Sequence, residues 1–337
     1  MRTRNTTAVL VVGIVLAIAT AFFSVCSGYL AVPVADVAAD LLHTFGLGGA
    51  PSRHHVVIVD LRLPRAVGGL CVGSALGASG CMLQSLLRNP IASPTVLGTA
   101  QGAGFGAMLA IAFGTGHVGT LGAAFVMSML AMLLVLALAR TKHSLPVESV
   151  VVTGMAMALL FTALSRLLVQ FTRDEYALGR MNLWLGGGLW HITWNQLAVF
   201  APLTLVALCL VLLRTRHLDL LAIGESDAQR LGLAVRRQGT FVLVLSCVLT
   251  SLAVCIAGMV AFVGLIVPHA ARRLVGPLHR ALLPASICLG AILVVLADTV
   301  ARTVAPPQEV PLTVVTSLIG VPCFLLILRA LRARRSR

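Results

Sequence analysis

Few residues in this chain could do chemistry, and their spacing excludes most catalytic designs. A phosphate-binding loop needs GxxxxGK followed by Ser or Thr, and the only lysine, Lys142, is followed by His143. The eleven Asp and Glu residues fall in polar stretches or near the ends of apolar runs, whereas proton-coupled carriers usually keep carboxylates at mid-membrane. The sequence presents no HExxH zinc pattern, no paired carboxylates and no Ser/His/Asp set, so an intramembrane enzyme has no support. The eight cysteines lie within or at the ends of apolar runs without CxxC spacing, and they read as small buried hydrophobes. Of the nine histidines only His54 and His55 are adjacent, a pair that reads as solvated loop before it reads as a metal or haem site.

The elements that must position these residues are apolar. Of 337 residues 58% are hydrophobic and 11% charged, with mean hydropathy +0.99, against roughly 25% charged in a soluble domain. About 20 apolar residues cross a bilayer as a helix, and such runs recur near 8–30, 64–87, 94–114, 118–140, 147–171, 195–213, 240–258, 261–275, 281–301 and 311–329. The expected fold is all-α and polytopic, a single transmembrane domain over residues 1–337 with about ten membrane helices. The runs lack the alternation of a membrane β-barrel. The first run follows Arg2 and Arg4 but is too long for a signal peptide's apolar core, and reads as an uncleaved span.

The net charge of +14 is not clustered with aromatics as nucleic-acid binding requires. With the N-terminus inside, 18 of the 25 Lys and Arg residues fall on the inner side, as the positive-inside rule expects. That places both termini and the polar stretch 214–238 in the cytoplasm. On the opposite side, Arg62 and Arg65 flank Pro64 at a helix mouth, where buried charge is costly, so they are expected to face water or a partner. Asp298 and Arg302 have the i,i+4 spacing of a pair on one helix face. Trp184, Trp190 and Trp194 suit an interfacial belt. The glycines from Gly68 to Gly80 mark a span buried at the bundle centre.

The segments RLPR (62–65), LQSLLRNPIASP (83–94), LAIGESDAQRLGL (221–233), FVGLIVPHAAR, LHRALLPAS, LADTVAR and VPLTVVTSLIGVPCF together resemble the FecCD/BtuC-type permease subunits of bacterial iron-siderophore, haem and vitamin B12 ABC importers. The resemblance runs from about residue 8 to residue 331. It implies a ten-helix protomer in the bacterial cytoplasmic membrane that pairs with a second permease, identical or paralogous. It also implies a cytoplasmic ATPase dimer that holds the ATP and Mg, and a periplasmic or lipid-anchored binding protein; the chain itself would bind no cofactor, metal or nucleic acid. By resemblance, Gly224, Glu225, Ala228, Arg230, Leu231 and Gly232 contact the ATPase, and Arg62, Arg65 and Arg302 dock acidic residues of the binding protein. Pro146, Val147 and Glu148 would form the cytoplasmic gate, where this valine and acid replace the small hydroxyl residues common in the vitamin B12 branch. A ferric siderophore or similar iron chelate is then the expected cargo, with haem or cobalamin as the alternative. An autonomous secondary carrier is the rival reading, since sodium coupling through carbonyls and hydroxyls needs no buried acid.

Overall fold

In hydrocarbon every backbone N–H and C=O must be satisfied within the segment, so long apolar runs become helices. The structure, a computed structural model, describes residues 6–44, 46–47, 50–139 and 147–335. Along it run α1 (Thr6–Cys26), α2 (Val34–Thr44), a π-helical stretch (Val56–Arg62) continuing into α3 (Leu63–Leu86), and a 3-10 turn (Pro94–Leu97). Then come α4 (Thr99–Ala112), α5 (His117–Ala139), α6 (Val147–Phe171), α7 (Glu175–Gly186) and α8 (Trp194–Leu212). The remainder is α9 (Thr215–Ile223), α10 (Glu225–Arg230), α11 (Val235–Ala257), α12 (Val263–Val275), α13 (His279–Thr303) and α14 (Leu312–Arg335).

Each expected span coincides with one helix, but the spans are not equivalent. Among the described residues seven helices are long and apolar enough to cross a membrane. The 14 residues of α4 and 13 of α12 give rises of only about 20 Å, short of the ~30 Å hydrocarbon core. Their N-termini are set by Gly98 (φ 72°) and Phe262 (φ 64°), both left-handed, so the run expected from residue 94 is interrupted at Gly98 and α12 begins just inside the short run expected from residue 261.

The centre is α3 with α11, each with 78% of its apolar window buried, against 11% for α1 at the periphery. The most extensive helix pair is α3 with α13. A Cβ on Gly73 would overlap the Gly290 carbonyl, and one on Gly80 would overlap that of Gly264 at the start of α12. Without side chains at these points the backbones touch, as the sequence expectation of close packing requires. Buried hydroxyls stitch the same core: Ser79 Oγ donates to Ser246 O (2.8 Å), and Ser128 Oγ donates to Thr99 O (2.9 Å).

The long connection before α3 is held by side-chain contacts. His54 Nδ1 meets Asp36 at 2.7 Å, and Asp40 accepts from the Ser52 amide and hydroxyl, both 2.7 Å, with His55 at 3.3 Å. His54 and His55 therefore fasten α2 to the chain ahead of α3, and they are not a freely solvated loop. Burial alone would raise the Asp40 pKa, but the two Ser52 bonds and His55 outweigh it and hold the carboxyl below its ordinary value. Among the described residues no cluster of three or more His, Cys, Asp or Glu is placed to hold a metal.

Candidate functional site

Two polar constellations lie at opposite ends of α3. At the α2 end, Arg65 is gripped by two carboxylates. Its Nε and Nη2 donate to Asp298 at 2.8 Å each, and its Nη1 and Nη2 donate to Glu309 at 2.8 Å each. The bidentate geometry is what a planar guanidinium offers and an ammonium does not. Asp298 and Arg302 do share a helix face, as their spacing predicted, but at 3.8 Å; the tighter partner of Asp298 comes from α3.

Arg62 and Arg302 both serve the C-terminus of α1. Arg62 donates to the carbonyls of Val25 (2.9 Å), Cys26 (3.2 Å) and Leu30 (2.5 Å), and Arg302 donates to the carbonyl and hydroxyl of Ser24. The last carbonyls of a helix lack intrahelical partners and carry the negative end of its dipole, so two cations are favourable there. Of the two alternatives expected for Arg62 and Arg65, water or a partner, the first is corrected: both are buried in this chain, as is Arg302.

Beside Arg65 opens a cavity of about 710 Å³ lined in part by Asn182, Trp190, Asp298 and Glu309. A smaller recess of about 50 Å³ adjoins it, lined by His117, Arg180, Trp184 and His191 among others. The His117 and His191 rings are 5.2 Å apart edge to face, and Trp190 packs 4.9 Å from His191. Burial, and then the neighbouring His117, push the His191 pKa down to about 4, so this imidazole is neutral at pH 7. The rings of His117, Trp184, Trp190 and His191 thus share the wall of the smaller recess with Arg180 and with aliphatic and glycine residues. Trp190 and Trp194 are half-exposed, but Trp184 is buried in the bundle, which corrects the reading of all three as an interfacial belt. Trp184 sits on α7, a helix outside the ten expected spans.

At the opposite end α9 packs against α3 and α13 and α10 lies beside α11, the two short helices joined at Gly224 (φ 126°). Glu225, Arg230, Leu231 and Gly232 are exposed, with Arg230 near Asp227 at 3.8 Å. Gly224 and Ala228 are buried against the chain itself, so of the six expected contact residues four present a surface and two hold the short helix in place. Beside it a groove of about 690 Å³ runs along Gln229, Leu233, Arg236, Arg237 and Phe241. Of the expected gate, Pro146 and the side chain of Val147 lie outside the described residues, and Glu148 is exposed in the first turn of α6.

Sequence reading found no Ser/His/Asp set, but the fold assembles one at this end. Ser85 Oγ meets His279 Nε2, and His279 Nδ1 meets Asp219 Oδ1 at 2.7 Å. These residues come from α3, α13 and α9. Nothing in the local sequence around any of them signals the other two.

A family model described as the FecCD transport family matches residues 14–330. The chain is 39% identical over 282 residues to the cobalamin import system permease protein BtuC of Halobacterium salinarum, covering 83% of this chain and 75% of that one. It is 36% identical over 286 residues to the Fe(3+) dicitrate transport system permease protein FecD of Escherichia coli, covering 84% and 88%. A solved structure of a metal-chelate type ABC transporter in an inward-facing conformation matches with a TM-score of 0.83 at 30% identity, over 96% of this chain and 99% of that one.

Proposed function

The chain belongs to the FecCD transport family, and from that premise we propose that it is the permease through which an ABC importer carries a ferric siderophore or similar iron chelate into the cell. The observation that carries this reading is the family match across residues 14–330, which spans both polar ends and the helices between them. The chain is a multi-pass membrane protein. Energy comes from a partner ATPase dimer, because the sequence lacks a P-loop. The exposed face of α10 and the adjoining groove are where that ATPase seats, in the cytoplasm with both chain termini. A second permease, identical or paralogous, completes the path, and membrane lipid surrounds the exposed apolar faces of helices such as α1 and α8.

The binding protein docks at the α2 end. Arg62 and Arg302 act there by holding the end of α1, and Arg65 acts through Glu309. With a side chain 38% exposed against 3% for Asp298, Glu309 is the partner that an incoming carboxylate can replace. Such charge complementarity steers association and weakens with salt.

Cobalamin is the second reading, favoured by the 39% identity to the Halobacterium permease; a metal chelate of bulky organic character is common to both. Reconstitution with the cognate ATPase and binding protein in proteoliposomes tests the proposal. ATP-driven uptake of radiolabelled ferric citrate or a ferric hydroxamate, absent without the ATPase, is the expected result. Uptake of labelled cobalamin alone selects the second reading, and uptake of any of these without an ATPase overturns the importer reading.

A further inference from the structure

Ser85, His279 and Asp219 are connected in the order of a hydrolase triad, yet they are not built to hydrolyse. Ser85 and His279 are buried, none of the cavities described above is lined by Ser85, and the Ser85 hydroxyl also lies 2.9 Å from the Cys81 carbonyl of its own helix. A nucleophile needs room beside it for an acyl group and donors for an oxyanion; here the hydroxyl is enclosed by its own helix and an imidazole.

What the three residues do is join three helices. Asp219 Oδ1 accepts not only from the His279 ring but also from the His279 backbone N–H at 2.9 Å. His279 is the first residue of α13, so this N–H has no partner within its helix, and a carboxylate placed there is favoured by the dipole as well. The same imidazole reaches on to Ser85 near the last turn of α3. One carboxylate on α9 thus holds the start of α13 and, through the ring, the end of α3.

The α3 and α13 helices are also fixed to each other elsewhere. Their backbones touch at Gly73 and Gly290, and at the far end Arg65 of α3 holds Asp298 of α13 by two bonds of 2.8 Å. The 20 residues from His279 to Asp298 span about 30 Å as a helix, the thickness of the hydrocarbon core. A pair tied at both ends and in contact between them moves as a body, because packed interfaces shift between discrete arrangements more readily than they deform.

We propose that the Asp219–His279–Ser85 cluster is the attachment through which α9 and α10 displace the α3–α13 pair as one unit, making these three positioning residues of the transport step. The proposal rests on the reading of α10 as the ATPase contact. It gives the displacement a route from α10, across α9, to the Arg65–Asp298–Glu309 network at the other end of the same two helices.

The test measures uptake per ATP hydrolysed by the complete importer in proteoliposomes, using labelled ferric citrate, or labelled cobalamin if that is the chelate taken up. Because a ratio is read, loss of assembled protein does not enter. Asp219→Asn and His279→Gln are expected to lower the ratio about tenfold, within the range typical of coupling between sites. Ser85→Ala should lower it less, and Ser85→Thr, which keeps the hydroxyl, should restore it. A merely structural role gives lower yield and thermal stability with an unchanged ratio, and that result overturns the proposal. Should the Asp219 and His279 variants fail to fold, the Ser85→Ala and Ser85→Thr pair decides alone. Glu225→Arg on the exposed face of α10 separates the two readings. If it uncouples and the cluster variants do not, the attachment is refuted while the ATPase contact stands; if none of them alters the ratio, both fall.

Discussion

Arg65 concentrates the electrostatics of the α2 end into one guanidinium with two carboxylates. Its side chain and that of Asp298 are nearly out of solvent, at 11% and 3% exposed. Removing one member of a buried pair leaves the other uncompensated, at a typical cost of 3–5 kcal/mol. Arg65→Ala is accordingly expected to destabilise the detergent-solubilised protein by about 3–5 kcal/mol, at the lower end because Glu309 remains free to rehydrate. Arg65→Lys should recover only part, since an ammonium cannot make the bidentate contacts; denaturant midpoints of the three proteins measure this, and an unchanged midpoint for Arg65→Ala would contradict the paired geometry. At this scale the sequence was partly legible. The i,i+4 spacing of Asp298 and Arg302 was visible along one helix, but Arg65 and Asp298 are 233 residues apart, and nothing local to either names the other. The same holds for His117 and His191, whose common recess exists only because the α7–α8 connection folds back over α5.

At the scale of elements, hydrophobic runs located ten helices because the bilayer requirement acts on each segment separately. What the runs concealed were the interruptions. Gly98 turns the backbone left-handed and separates a 3-10 turn from α4 within the run 94–114, while the π-helical stretch Val56–Arg62 extends α3 beyond its expected start at residue 64. The amphipathic α2 and the polar-faced α7 were also missed, since neither has a span-length apolar signal. The glycine stripe of α3 was read correctly as a packing face, although which helix it met could not be inferred. Gly80 faces the Gly264 carbonyl closely enough that any Cβ overlaps backbone, and backbone does not yield as a flexible side chain does. Gly80→Val is therefore expected to cost at least the ~1–3 kcal/mol typical of overpacking and to cut the amount of folded protein in the membrane. Gly122→Val, where a Cβ meets nothing within 4 Å, should be nearly silent in the same expression and thermal-unfolding assays. Equal losses in both would show that the contact between α3 and α12 is not as tight as described.

For the whole molecule, the two polar ends are chemically different. The α2 end gathers the Arg65–Asp298–Glu309 network and the arginines on the α1 carbonyls, whereas the α9–α10 end presents the exposed Glu225, Arg230, Arg236 and Arg237 around a short helix. The sidedness proposed above, with the second end in the cytoplasm, rests on the count of cations along the sequence. Tyr176→Cys on α7, at a position 75% exposed, is expected to react with a membrane-impermeant maleimide on intact cells. Arg230→Cys, at a side chain 83% exposed, should react only after permeabilisation when the permease is expressed without its partners. The opposite pattern would invert the assignment of the two ends and with it the sites proposed for the ATPase and the binding protein.

The sequence by itself determined the class of molecule, the places where helices form, the lack of a phosphate-binding loop and the family. Each of these is recorded in residue types and spacings along one stretch of chain, because hydropathy and turn chemistry act locally. Only the tertiary structure decided that Arg62, Arg65 and Arg302 are buried, that Glu309 accepts from Arg65 beside Asp298, and that Asp219, His279 and Ser85 meet. Those outcomes depend on which helix faces which and at what height, and that is fixed by backbone contacts such as Gly73 on Gly290, which no single segment contains.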